Sequence, residues 1–328
     1  MKGQFYSIMI ALFIIPILAL IIFYSQTQIP QTIGTSIRAD ELQYFSQSIE
    51  EDLMRFLQIN GKRALIAAVN MTVSTGKGLN NASAGLAEMI ENGTLNGAQP
   101  FTDEKNMSIW EKNISDIGSY QGFNVSFISS PIVNVTQGDS FNILFNKTVY
   151  VNVSDFATSM YVLKNITVAA FVSVEGIEDP LYANNSFANV SVLIRKSPFN
   201  KNTTSAGEVW NLSNLSSNII NSYYFSSTKG ASFLDRLQGN ITLSPIYQPY
   251  GLESFIFLPN MTNQLNTFSV LDYQYWAETH GYFLNESKSY NPALDTFVFD
   301  NVKIYNWFRI GNLADDDYGI NQTLNLTS

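Results

Sequence analysis

Residues Phe145–Ser154 (FNKTVYVNVS) decide the fold, because apolar and polar side chains alternate there with a period of two. That is the period of a β-strand, whose successive side chains point to opposite faces of a sheet. The segment belongs to the longer run Phe141–Ser154, which therefore predicts a strand in a half-exposed antiparallel sheet. One face is apolar (Val149, Val151, Val153) and the other is polar (Asn146, Thr148, Tyr150, Asn152, Ser154).

Similar alternation recurs along the chain and predicts further strands, interrupted by two helices and one turn. The turn is expected at Glu178-Asp179-Pro180, and the helices at Glu208–Phe225 and Ala231–Leu237. Lys196–Ser205 gathers Pro, Asn, Thr and Ser, which is typical of a linker between modules. The remaining strands are expected at 124–127, 132–135, 167–174, 187–194, 254–258, 268–276 and 296–308.

The sheet is preceded by helical patterns. Apolar residues recur at steps of three or four, which places them on one face of a helix (Leu42, Phe45, Ile49, Leu53, Phe56). Asn60-Gly61 is expected to interrupt this helix, and helical character continues through 63–73 and 82–91. The apolar stripe needs a partner, which could be the chain's own sheet or a neighbouring subunit.

The N-terminal segment Phe5–Tyr24 has no charged residue over twenty positions, the length of helix that crosses a bilayer. Lys2 precedes it and the next charge is Arg38, so the positive-inside rule places the N-terminus in the cytoplasm. Pro16 should kink this helix. The alternative is a cleaved secretory signal peptide, but no small-residue cleavage site follows convincingly.

Lys2-Gly3-Gln4 ahead of this apolar run resembles the class III signal peptides of archaeal type IV pilin-like proteins. The resemblance implies cleavage after Gly3, so that the mature chain begins at Gln4 and keeps its hydrophobic helix. Ile8 departs from the pattern, because pilins commonly carry a Glu at the fifth mature position.

Asn-X-Ser/Thr sequons are the strongest chemical signal. Twenty occur, all after residue 69, roughly three times as many as the composition would give by chance. Their middle residue is mostly apolar, so strand patterning alone is an alternative, although Asn is a poor strand residue. The predicted N-glycosylation candidates are Asn70, Asn81, Asn92, Asn106, Asn113, Asn124, Asn134, Asn146, Asn152, Asn165, Asn184, Asn189, Asn202, Asn211, Asn214, Asn240, Asn260, Asn285, Asn321 and Asn325.

Composition excludes several classes of function. The net charge of −9, with scattered Lys and Arg, argues against a nucleic-acid partner. The absence of cysteine removes disulfides, thiolate metal sites and cysteine nucleophiles.

Motifs for catalysis are also lacking. The single histidine, His280, has no nucleophile-elbow or zinc-protease motif beside it. Asp315-Asp316-Asp317 could offer oxygen ligands to calcium, with Asp295, Asp300 and Asn301 nearby, but a solvated turn is favoured. We therefore predict no catalytic residues, no cofactor and no enzyme.

Three segments resemble a group of uncharacterised archaeal envelope proteins with pilin-type N-termini: Ile37–Asn70, Ser173–Tyr182 and Tyr250–Pro259. Ser269–Tyr273 and Trp307–Ile310 are further matching pieces. The resemblance implies anchoring and location, and it carries no catalytic residue with it.

These observations predict an α+β chain with a leader at 1–3, a transmembrane helix at 4–25 and a helical stalk at 26–98. An external β-rich domain at 99–200 and a second α+β module at 201–328 follow. The expected protein crosses the cell membrane once, with its C-terminal region extracellular and N-glycosylated, and has a structural or interaction role. It would be pilin-like or pilus-associated, with self-association or pilus and envelope proteins as partners. The alternatives are an adhesin or solute receptor using Tyr273, Tyr275 and Trp276, or, least favoured, a hydrolase.

Overall fold

The computed structural model describes residues 2–97, 106–128, 131–186, 189–199, 212–257, 269–281, 298–299, 302–303 and 318. Within these ranges, the described side chains begin at Ile14 and omit 23, 25–35, 212–213, 215–216 and 298–303. The chain is an α+β protein of helices and antiparallel sheets, which confirms the predicted class. The predicted boundaries near 98 and 200 lie outside the described residues and stay predictions.

Two compact units divide the chain. Unit 1 comprises Met1–Leu53, Trp110–Pro131 and Thr148–Thr167, and unit 2 comprises Met54–Ile109, Ile132–Lys147 and Val168–Ser328. The helices are α1 (Lys2–Thr75), α2 (Ala82–Asn92), α3 (Met107–Tyr120), α4 (Pro180–Ser186), α5 (Leu212–Asn221), α6 (Phe233–Leu237) and α7 (Asp272–Thr279). The strands are β1 (Phe123–Ile128), β2 (Asn134–Asp139), β3 (Asn142–Asp155), β4 (Tyr161–Ser173), β5 (Tyr224–Ser227), β6 (Gly251–Ser254), β7 (Val298–Phe299) and β8 (Val302–Lys303).

Helix α1 carries the predicted apolar stripe. Leu42, Phe45, Ile49 and Leu53 are all buried, whereas Phe56 is half-buried. In the described part of the chain, no helix contains a stretch long and apolar enough to cross a membrane. The predicted membrane segment Phe5–Tyr24 lies partly outside the described side chains.

The predicted break at Asn60-Gly61 is wrong, because α1 runs through it without interruption. A β-carbon at Gly61 would lie 2.9 Å from Val172 Cγ2 and 3.0 Å from Phe145 Cε2. Glycine therefore serves here to let the helix approach the side chains of β3 and β4 in unit 2, and not to end the helix.

Strand β3 has the predicted alternation: Val149, Val151 and Val153 are buried, and the intervening residues are half-buried or exposed. In unit 1, β1 pairs antiparallel with β3, with Val125 opposite Val153. In unit 2, β2 pairs antiparallel with β3. Strand β4 also pairs with β3.

The later part of unit 2 departs further from the predictions. Helix α6 is confirmed, but only α5 fills the predicted helix 208–225, since β5 begins at Tyr224. The predicted strand 268–276 is wrong, because its described part enters helix α7 at Asp272. In the predicted strand 187–194, the described residues form only an isolated bridge between Leu193 and Glu178.

Candidate functional site

The predicted glycosylation sites that the structure describes lie outside the core. Fourteen of the twenty sequon asparagines are described, and none is buried. Two other asparagines in the described part, Asn60 and Asn218, are buried, and neither belongs to a sequon. The exposed sites are Asn70, Asn81, Asn92, Asn113, Asn124, Asn134, Asn165, Asn189 and Asn240, and the half-buried ones are Asn106, Asn146, Asn152, Asn184 and Asn214. Asn202, Asn211, Asn260, Asn285, Asn321 and Asn325 lie outside the described residues.

Strand geometry explains this placement in the unit 1 sheet. The middle residues of three sequons, Val125, Val153 and Ile166, are buried, so the asparagine and the hydroxyl residue on either side face outward. Two sequon hydroxyls meet across β3 and β4, where Thr148 Oγ1 and Thr167 Oγ1 lie 2.9 Å apart. In this sheet the sequon spacing therefore coincides with the alternation of a strand. Glycosylation and strand patterning are both compatible with the excess of sequons, and neither excludes the other.

Asn106 Nδ2 donates a hydrogen bond to Asn92 O at 3.3 Å, and the side chain of Asn184 is bonded in the same way. Asn184 Nδ2 donates to Arg236 O at 3.0 Å, and its buried Oδ1 has no hydrogen-bond partner among the described residues. The nitrogen that would carry a glycan is thus already bonded inside unit 2.

Other predicted site residues fall in different places. The side chains of Lys2, Gly3 and Gln4 lie outside those described, as do Asp315–Asp317, Asp295, Asp300 and Asn301. His280 is exposed at the end of α7, with Nδ1 2.7 Å from Trp276 O. Among the described residues, no group of three or more His, Asp or Glu side chains could hold a metal ion.

The aromatic residues suggested for ligand binding do not form a surface. Tyr273, Tyr275 and Trp276 are at most 6% exposed, because they lie on α7 and pack inside unit 2. Trp276 makes edge contacts with the rings of Tyr182 and Tyr275. The interpretation that these three side chains bind a ligand on the surface is therefore wrong.

A buried charge cluster occupies the core of unit 2 instead. Arg236 on α6 bonds to Asp179 and also lies 2.8 Å from Asp272 Oδ2, and all three side chains are fully buried. Tyr224 donates to Asp179 at 2.7 Å, and Ser254 donates to Asp272 at 3.2 Å.

The two carboxylates keep the guanidinium charged in this interior. Burial alone would lower the pKa of Arg236. The attraction of Asp179 and Asp272 raises it by more than burial lowers it, so the pKa of Arg236 lies above its usual value. Burial raises the pKa of Asp272, and the attraction of Arg236 opposes that rise. These ion pairs connect α6 to Asp179, the residue before α4, and to Asp272 at the start of α7.

An open site is present in unit 1. A groove of about 690 Å³ lies between α1 and the residues at the start of β4. It is lined by Ala39, Leu42, Gln43, Ser46, Gln47, Ser159, Met160, Tyr161, Val162 and Lys164. Lys164 forms an ion pair with Glu50 at 2.8 Å.

Sequence reasoning missed both sites, although signals were present. Ser232 and Asp235 form a capping box at the start of α6, which marks the helix that carries Arg236. Ser46 follows Leu42 by four residues, so it falls on the apolar stripe of α1, where a hydroxyl needs an explanation.

Comparison with known proteins gives no relative: no protein-family model matches the chain, and neither a curated protein nor a solved structure is significantly similar to it.

Proposed function

We propose that this chain is a membrane-anchored, N-glycosylated protein of the cell surface with a structural or interaction role, of the pilin-like or pilus-associated kind. Residues 4–25 would cross the membrane once, residues 26–98 would form a stalk, and the rest would lie outside the cell. The N-terminus would stay in the cytoplasm, and cleavage after Gly3 would leave Gln4 as the first residue.

One observation carries this proposal: the sequon asparagines avoid the core, while buried asparagines lie outside sequons. An oligosaccharide is bulky and hydrophilic, so a glycosylated asparagine must reach solvent. Asn70, Asn113 and Asn165 are all exposed and lie on different elements, two helices and a strand. Accessibility is therefore a property of the sequons and not of one type of element.

The surface composition supports a role outside the cell. Only 14% of residues are charged, and unit 1 exposes large apolar side chains, including Tyr44 at 71%, Phe156 at 65% and Tyr120 at 92%. Such residues need a cover if the chain is to stay dispersed, and glycans or neighbouring subunits can provide it. Both kinds of cover fit the proposed function.

Mass spectrometry of the protein isolated from its native cells tests the proposal. The expected result is a mature chain that begins at Gln4, is recovered with membranes or sheared surface appendages, and carries glycans on several exposed sequons. Unmodified asparagines throughout, or a chain with Met1 intact in the soluble fraction, would contradict it.

A further inference from the structure

The groove of unit 1 has the size of a ligand site. Its volume of about 690 Å³ lies within the range of small-molecule sites, roughly 300–1,000 Å³. Helix α1 supplies one wall, and residues 159–164 supply the other.

A buried hydroxyl in this groove has no partner. Ser46 is only 3% exposed and lines the groove, yet its Oγ makes no hydrogen bond within the described part of the chain. Buried hydroxyl groups are nearly always hydrogen-bonded, because losing water without replacement is unfavourable. A ligand hydroxyl that reaches Ser46 Oγ from the groove would supply the missing bond.

The charges of the groove cancel. Lys164 is the only ionisable lining residue apart from Tyr161, and its ammonium is paired with Glu50 at 2.8 Å. Gln43, Gln47 and Ser159 provide exposed amide and hydroxyl groups that both donate and accept. This set favours an uncharged ligand with many hydroxyls over an anion or a cation.

The groove is also lined by apolar and aromatic side chains. Leu42 and Met160 line the groove, and the Tyr161 ring beside them is 70% exposed. A tyrosine combines a flat apolar face with a polar end, and so it suits a ligand with both C–H and O–H surfaces. A sugar ring has one face of C–H groups and a rim of hydroxyls.

We infer that this groove binds a short neutral saccharide, with Ser46 bonding one of its hydroxyls and Tyr161 stacking on a ring. The inference goes beyond the proposed function and does not depend on it. An extended peptide laid along β4 is the competing occupant, and the experiment below separates the two.

The test measures binding of neutral trisaccharides of glucose, mannose and N-acetylglucosamine to the full chain by calorimetry. The chain is produced without glycans, in a detergent without a sugar head group if it needs one. We expect Ser46→Ala to weaken binding about tenfold while the melting temperature stays the same or rises, since the variant removes an unsatisfied group.

Two matched controls make the result specific. Thr72→Val removes another buried, unpartnered hydroxyl from the same helix, but Thr72 does not line the groove, so binding should be unchanged. Tyr161→Ala should weaken binding at least tenfold, whereas Tyr120→Ala, at a 92% exposed tyrosine outside the groove, should not.

Four outcomes would overturn the inference: no neutral trisaccharide binds, binding is indifferent to Ser46→Ala, a glucuronate trisaccharide binds more tightly, or an extended peptide binds and the sugars do not. Each is independent of whether the asparagines are glycosylated in the native cell. Failure here and failure of the proposed function are therefore distinguishable.

Discussion

Lys147 Nζ lies 2.6 Å from Glu91 Oε1, which makes an ion pair beneath the sheet of unit 2. Lys147 is the middle residue of the Asn146 sequon, and it shares the inward face of β3 with Phe145 and Val149. It is 2% exposed, so its charge needs compensation, and α2 brings Glu91 to it. Glu91 Oε1 also accepts a hydrogen bond from Val133 N at 2.8 Å, at the entry to β2.

Removal of one partner of this pair should be costly. Glu91→Ala would leave a buried ammonium without its carboxylate, and we expect a loss of stability approaching the roughly 3–5 kcal/mol typical of such changes. Lys147→Met should reduce stability less. The Glu91 carboxylate is 18% exposed and still accepts the hydrogen bond from Val133 N, so it is not left buried without a partner. Urea unfolding of the three chains measures this order, and equal stabilities would contradict it.

Loss of the Arg236 charge should strongly destabilise unit 2. Arg236→Met removes the cation between Asp179 and Asp272 and leaves two buried carboxylates. We expect a destabilisation of about 3–5 kcal/mol or a failure to fold. Arg195→Met, at an exposed arginine, is the matched control and should change stability by less than about 0.5 kcal/mol. Denaturant unfolding followed by tryptophan fluorescence compares the two.

Asp155 should contribute to the acid sensitivity of unit 1. Hydrogen bonds from Thr158 lower the pKa of this carboxyl, burial opposes them, and Arg38, whose Nε lies 2.7 Å away, lowers the pKa further. A carboxyl with a lowered pKa stabilises the fold above its ordinary value of 3.8, and that contribution is lost as the pH falls through the folded-state value.

The melting temperature of the parent chain should therefore exceed that of Asp155→Asn at neutral pH, and the two should converge as the pH falls below about 3.8. Asp116→Asn, on the exposed side of α3, should follow the parent chain throughout. A gap that is constant with pH would show that Asp155 acts through packing alone.

Gly61 should not tolerate alanine, although alanine is the better helix former by about 1 kcal/mol. The added methyl would lie 2.9 Å from Val172 Cγ2 and 3.0 Å from the Phe145 ring, and both neighbours are buried. We expect Gly61→Ala to destabilise the chain by about 1–3 kcal/mol, as overpacking does. Thermal unfolding shows whether the substitution raises or lowers the melting temperature. A rise would mean that α1 can move away from β3 and β4 to make room for the methyl group.

Glycan occupancy should follow access to the side-chain nitrogen. Asn165 is exposed on β4, whereas Asn184 Nδ2 is bonded to Arg236 O. Glycopeptide mass spectrometry of the native chain should find a glycan on Asn165 and none on Asn184. Asn165→Gln should remove one glycan mass and change stability by no more than about 0.5 kcal/mol. Occupancy of Asn184 with an intact unit 2 would contradict this reading of access.

The spacing of apolar residues correctly predicted the buried faces of β3 and α1. This spacing depends only on the repeat of side-chain directions within a single strand or helix, so it can be read from the sequence of that element. The valines of β3 are buried as expected, and so are Leu42, Phe45 and Ile49 on α1. Pattern failed where another segment changed the environment. Asn60-Gly61 has the composition of a helix end, but the approach of Phe145 and Val172 explains the glycine.

The sequence by itself determined the alternation of β3, the stripe of α1 and the sequons, whose placement on strands sets the asparagine and the hydroxyl on one face. Tertiary structure alone decided which partners neutralise Lys147 and Arg236 and that Tyr273 and Trp276 are buried. It also decided that Ser46 and Tyr161 line the same groove. The physical reason is distance along the chain: Lys147 and Glu91 are 56 residues apart and Arg236 and Asp179 are 57 apart, so their meeting depends on packing that no local period encodes.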